Sequence, residues 1–175
     1  MFEVGSKCNS ARLAIVFMLI GNGLLVASFF DLGPAKLVWN ASESVTKGLY
    51  RITVSPPKAD ELVFVQLPEW AAFLASQHRY LPKNVPALKR IFDVSGDVVC
   101  RFGSNIFVNQ NRVAIAKIQD GFGRMLPQWS GCRVLKSYEL FLLADHPDSF
   151  DGRYFGIGKA SSVIGIAVPV WLVSE

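Results

Sequence analysis

From Leu13 to Phe30 the chain runs eighteen residues without a charged side chain, bounded by Arg12 and Asp31. A run this apolar must be buried in protein, removed, or placed in lipid. At about 1.5 Å of rise per residue, a helix of this length crosses most of the roughly 30 Å hydrocarbon core of a bilayer. A secretory signal peptide is the alternative, with Val26-Ala27-Ser28 as its small-residue cleavage site. The run is longer than the usual apolar stretch of such signals, which favours an uncleaved anchor. Asn22, between Gly21 and Gly23, weakens a span without forbidding it. Lys7 and Arg12 precede the run, so the positive-inside rule puts the N-terminus in the cytoplasm. Residues 1–31 are then a cytoplasmic tip and transmembrane anchor, and residues 32–175 an exported domain.

The whole chain is 175 residues, which suits one domain with one core plus such an appendage. A hydrophobic fraction of 51% and a mean hydropathy of +0.31 are high for a soluble domain, and the excess sits in the N-terminal run. Net charge is +4, with the basic residues scattered. No basic stripe interleaves with aromatics, which argues against nucleic acid as a partner, and an anionic membrane surface suffices to explain the charge. Of three cysteines, Cys8 precedes the run while Cys100 and Cys132 follow it. An oxidising compartment permits a Cys100–Cys132 bridge; two buried free thiols are the alternative. The pair is not spaced like zinc ligands, and two histidines are too few to complete a site.

Beyond a Gly-Pro-containing linker at Asp31–Val38, short segments rich in Val, Ile and Phe alternate with turn residues. Strands are expected at Gly48–Val54, Leu62–Leu67, Ala87–Phe92, Val98–Phe102, Asn105–Val108, Arg112–Ala116, Glu139–Leu143 and Val163–Trp171. Asn109-Gln110-Asn111 reads as a tight turn. One helix is expected from Glu69 to Tyr80, behind Pro68, with Trp70, Phe73 and Leu74 at helical spacing. Many strands and one helix predict a mainly β domain. The apolar Ile164–Val168 is too short to span a membrane and reads as a closing core strand.

Ser42 and Ser44 lie just before Gly48, where a turn would expose a hydroxyl beside backbone N–H groups. Two hydroxyls two residues apart lie on one side of an extended chain and suit a nucleophile and an oxyanion donor, although paired serines are also common in loops, and Asn40-Ala41-Ser42 fits a glycosylation sequon. Lys89 shares one face of an extended segment with Ala87 and Ile91. A lysine among apolar groups loses its proton more easily and becomes a competent base; a lysine on an edge strand, reaching out to water, is the plain alternative. Asp145, Asp148 and Asp151 form an acidic segment, and Asp151 could pair with Arg153 across one extended face. His146 sits among them, but no Gly-x-Ser-x-Gly elbow supports a serine–histidine triad. Gly156-Ile157-Gly158-Lys159 fails the phosphate-loop spacing.

Three segments, NASESVTKGLY at 40–50, PALKRIFDVSGD at 86–97 and DSFDGRYFG at 148–156, occur in the order of the catalytic boxes of serine–lysine signal peptidases. The chain resembles that family, and within it the conjugal-transfer (TraF-type) peptidases that mature pilin precursors. The resemblance implies Ser44 as nucleophile, Ser42 as side-chain oxyanion donor and Lys89 as general base, followed by Arg90 and the Gly96-Asp97 turn. It implies Ser149 as the serine that orients the lysine, and Asp151 and Arg153 as the Asp-x-Arg pair, with Asp151 counted among the essential residues. Cys100 and Cys132 are similar to the cysteines of that subgroup. The chain departs from the pattern at Thr46, where the subgroup usually has proline, and at Ala144 and His146-Pro147 in the terminal box.

The fold so implied is an N-terminal transmembrane helix followed by a periplasmic signal-peptidase-like β domain. The implied activity is a serine endopeptidase that matures, and in this subgroup can cyclise, a TrbC-type pilin precursor at the inner membrane, without metal or cofactor. Two alternatives are a non-catalytic membrane-anchored assembly factor of a conjugation or type IV secretion apparatus, and a general signal peptidase.

Overall fold

The computed structural model describes residues 5–28 and 37–173. Most of the expected linker, and the side chains of Lys7 and Cys8, lie outside the described residues. The chain forms two compact units, Met1–Ala35 and Lys36–Glu175.

The first unit contains helix α1 (Gly5–Ser28). Its apolar side chains from Leu13 to Ile20 are exposed on every side. Asn22, the polar interruption, is satisfied within the helix by donating its amide to the Met18 carbonyl at 2.9 Å. Among the described residues no helix is long and apolar enough to cross a membrane.

The second unit is mainly β. Its elements run β1 (Leu37–Asn40), β2 (Gly48–Thr53), β3 (Leu62–Val65), α2 (Glu69–Gln77), β4 (Ala87–Asp93), β5 (Val98–Phe102), β6 (Asn105–Val108), β7 (Asn111–Ile115), β8 (Gly131–Val134), β9 (Glu139–Leu143), α3 (Gly152–Phe155), β10 (Ile157–Lys159) and β11 (Val163–Leu172). A seven-stranded sheet has the order β1-β2-β11-β3-β4-β9-β10, and a four-stranded sheet the order β7-β6-β5-β8. Every pairing is antiparallel.

Side-chain alternation sorts the core. Val63, Val65 and Ile91 face α2, which presents Ala71, Ala72 and Ala75 and so lets helix and sheet approach closely. Phe64 and Leu88 face the other way, against Val45 and Tyr50. A third cluster, with Val99 and Ile106 from the small sheet and Phe141 and Leu143 from β9, ties the two sheets together. Each large aliphatic or aromatic side chain buried here contributes about 1.5–3 kcal/mol. Gly48 is required where β2 meets β11, because a Cβ there would lie 2.3 Å from the Trp171 carbonyl oxygen.

Candidate active site

Ser44 stands on the loop that joins β1 to β2 at one edge of the large sheet. The register pairs Asn40 with Gly48, so residues 41–47 must turn back in one short excursion. Val45 plugs the second core cluster, and the Tyr50 hydroxyl donates to the Thr46 carbonyl at 2.7 Å. Ser44 is thereby set at a fixed point, half-buried, between an anchored Val45 and an exposed Glu43. The serines do not lie on an extended chain, as the sequence suggests, since Glu43 and Ser44 form a turn. Both Ser42 and Ser44 still line one cavity of about 380 Å³, with Lys89 and Ser149.

Lys89 comes from β4, which is held between β3 and β9 rather than at a sheet edge. The edge-strand alternative is therefore excluded: only 4% of Lys89 is exposed. It shares the α2-facing side with Ala87 and Ile91, as its spacing predicts. Removal from water lowers its ammonium from an ordinary 10.5 to about 8; the nearby Asp151 carboxylate opposes this and the Arg153 guanidinium reinforces it. Lys89 Nζ donates to Ser149 Oγ at 2.5 Å, and Ser149 Oγ donates to Ser44 Oγ at 3.1 Å. The lysine and Ser44 are thus linked through Ser149, a chain of three side chains gathered from distant parts of the sequence.

Asp151 and Arg153 stand behind this chain, outside the cavity lining. They do not pair across an extended face. Asp151 caps α3, accepting from the Arg153 N–H at 3.0 Å, while its second oxygen accepts from the Ala144 N–H at 2.9 Å and from Arg153 Nη1. Arg153 Nη2 donates to the Ala144 carbonyl at 3.2 Å. Asp151 is 0% exposed. Burial pushes its carboxyl above the usual range, and the charges of Arg153 and Lys89 pull it back. The pair fixes both ends of the segment that carries Ser149.

Arg90, the neighbour of Lys89, points to the opposite side and bridges Asp145 at 3.2 Å and Asp60 at 3.5 Å. Asp97 closes the β4–β5 turn around Gly96, whose φ of +99° suits glycine, and accepts from Asn109 Nδ2 at 2.6 Å. Neither touches the cavity. His146 lines the cavity, but its Nδ1 accepts from the Asp148 N–H at 3.2 Å, while the Asp148 carboxylate pairs with Lys117. No serine–histidine–aspartate relay forms there. Cys100 and Cys132 are disulfide-bonded across β5 and β8. Sequence reasoning gave no structural role to Asn40 at the end of β1, which is buried against the serine loop. The only sequence hint was its place at the head of that loop.

The family model for signal peptidase, peptidase S26, matches residues 9–172. A plasmid transfer protein TraF of Escherichia coli is 30% identical over 167 residues, covering 88% of this chain and 93% of that protein. A probable conjugal transfer protein TraF of Sinorhizobium fredii is 28% identical, covering 85% of this chain and 87% of its own length. Among solved structures, a signal peptidase I from Enterococcus faecalis V583 aligns with a TM-score of 0.38 at 17% identity, covering 65% of this chain and 98% of the other.

Proposed function

Since the chain belongs to the peptidase S26 family of signal peptidases, we propose that it is a membrane-anchored serine endopeptidase of conjugal transfer that matures a pilin precursor with a Ser44–Lys89 dyad. The observation that carries this reading is the chain from buried Lys89 through Ser149 to Ser44 at an open cavity. The conjugal role rests on the similarity to TraF proteins along most of the chain.

In this reading loss of the Lys89 proton reverses the hydrogen bonds of this chain, so that Ser44 donates to Ser149 and Ser149 to neutral Lys89; Lys89 then takes a proton from Ser149 as Ser149 takes one from Ser44. Ser44 Oγ attacks the scissile carbonyl carbon, and the carbonyl electrons move to oxygen. The Ser44 N–H and the Ser42 hydroxyl face that oxyanion. Collapse expels the downstream amine, which takes its proton from the Lys89 ammonium and leaves an acyl group on Ser44. Water then releases a linear product, or the precursor's own N-terminal amine forms an amide and closes a ring one water lighter. Leu81, Ala87 and Leu88 line the same cavity and leave room for small apolar side chains beside the scissile bond. Asp151 and Arg153 act through the Ser149 segment and through their charges on Lys89.

The anchor is α1. Its exposed apolar side chains cover the whole circumference, an arrangement that suits lipid and not the single buried face of a surface helix. With Arg12 ahead of the run, the catalytic unit would lie in the periplasm, close to the outer face of the inner membrane.

The test is co-expression with a TrbC-type precursor. Ser44→Ala, Lys89→Ala and Lys89→Arg each lower processing at least about 10³-fold while the domain stays folded, since arginine remains charged and cannot serve as base. Full processing by the alanine variants would remove the dyad. Folded, secretion-competent cells with an unprocessed precursor under the intact enzyme would favour a general signal peptidase or a non-catalytic assembly factor.

A further inference from the structure

We propose that Asn40 is the positioning residue of the nucleophile loop: its carboxamide fixes the turn that presents Ser44 and holds the Ser42 hydroxyl in reserve for the oxyanion. This rests on the Ser44–Lys89 reading above.

Asn40 is 7% exposed, at the last position of β1. The two N–H groups of its Nδ2 are shared among three carbonyls of the loop, those of Val45 at 2.9 Å, Thr46 at 3.2 Å and Ser42 at 3.2 Å. These carbonyls flank Ser44 on both sides, so one planar group sets the curvature of the backbone that carries the nucleophile. The Thr46 carbonyl is held from its other side by the Tyr50 hydroxyl. A buried backbone carbonyl without a donor is costly, so the amide also satisfies the carbonyl of buried Val45.

The Oδ1 atom faces Ser42 alone. It accepts from the Ser42 N–H at 3.2 Å and from Ser42 Oγ at 2.8 Å. A carbonyl oxygen has two lone pairs. When the Ser42 hydroxyl swings its proton to a developing oxyanion, Oδ1 keeps the Ser42 N–H and is not left unpaired. The hydroxyl is thus placed without being locked. An aspartate could accept from Ser42 in the same way, but it would turn a carboxylate oxygen toward three carbonyls. Only the amide serves both sides.

The experiment is a double-mutant cycle in the full-length protein. Asn40→Ala and Ser42→Ala are measured singly and together for kcat and KM on the pilin precursor, beside Ser44→Ala and a melting curve for each. Loss of Asn40 is expected to lower kcat by about 10²-fold, the scale of an oxyanion donor, with KM changed less than about threefold. The double variant should be at least about fivefold more active than the product of the two single losses predicts, because both act on one donor. Asn40→Asp, of the same size, should fold and lose kcat similarly. Independent, multiplicative losses would overturn the proposal, as would wild-type kcat in Asn40→Ala with Ser44→Ala inactive. Failure of both Asn40 variants to fold would make Asn40 a folding determinant and overturn it too. An active Ser44→Ala would instead remove the dyad reading beneath it.

Discussion

At Lys89 a single burial decides both chemistry and stability. Its ammonium is lowered from 10.5 to about 8 chiefly because the strand holds it away from water. Only the neutral amine accepts a proton, so kcat/KM should rise with pH, bend near 8 and level above it. A profile flat from pH 6 to 10 would show that another group limits the reaction. The stability effect has a fixed sign. The unfolded chain holds this proton up to 10.5 while the folded chain releases it above about 8, so stability grows as pH rises between those values. The gain from this group is on the order of 3 kcal/mol, and Lys89→Met should abolish that dependence in denaturant titrations at pH 7 and 10.5. The alternation of Ala87, Lys89 and Ile91 offered Lys89 a place among apolar groups, but left open an edge strand with the lysine in water. What the alternation could not give was Ser149. Lys89 and Ser149 are 60 residues apart, Ser149 and Ser44 are 105 apart, and neither separation leaves a local pattern. The candidate site was legible only through the resemblance of three short segments to a known family.

At the level of elements, the strands with strong Val, Ile and Phe content stand where their patterning puts them, to within a residue or two. The elements that escaped are short or lack a buried face. The four residues of β1 resemble linker, β8 is exposed along its length, and β10 has three residues. Helix α2 stops at Gln77 rather than Tyr80 because Arg79 adopts a φ of +60°. The N–H groups of Arg79 and Tyr80 then close back on the Ser76 and Ala75 carbonyls, a helix stop usually signalled by glycine. Asp151 is extended, as expected, but Arg153 is not, for a related reason: it lies in a four-residue helix that leaves no periodicity to read. The exposed β8 makes the disulfide testable. Closing a loop of 32 residues contributes about 3–4 kcal/mol in the chain-entropy model. Cys100→Ser with Cys132→Ser should therefore lower the denaturation free energy by that amount while leaving Ser44 reactive. An unchanged midpoint would show that the bridge adds nothing to the small sheet.

For the whole molecule, a helix that is apolar all round precedes a unit whose three side chains meet at one cavity. If that helix belongs to an anchor, as proposed above, the second unit would lie on the outer side of the membrane, the side on which the end of an embedded precursor would emerge. Deleting residues 1–28 should leave a domain that still cleaves a detergent-solubilised precursor but loses most of its rate on a membrane-embedded one. Equal rates on both would separate the helix from substrate choice. The pilin product should be lighter by one water than its linear form where the amine resolves the acyl group, whereas a linear mass with a free N-terminus would leave peptidase but not cyclase. Each of these outcomes depends on one event, the transfer of an acyl group to Ser44. Acid quenching of a reaction in progress, followed by mass spectrometry of the peptide that contains Ser44, measures that event directly. An acyl adduct on Ser44, absent from Lys89→Ala, is the expected result. Turnover of the precursor with Ser44 unmodified at every time, or an adduct on another residue, would contradict it.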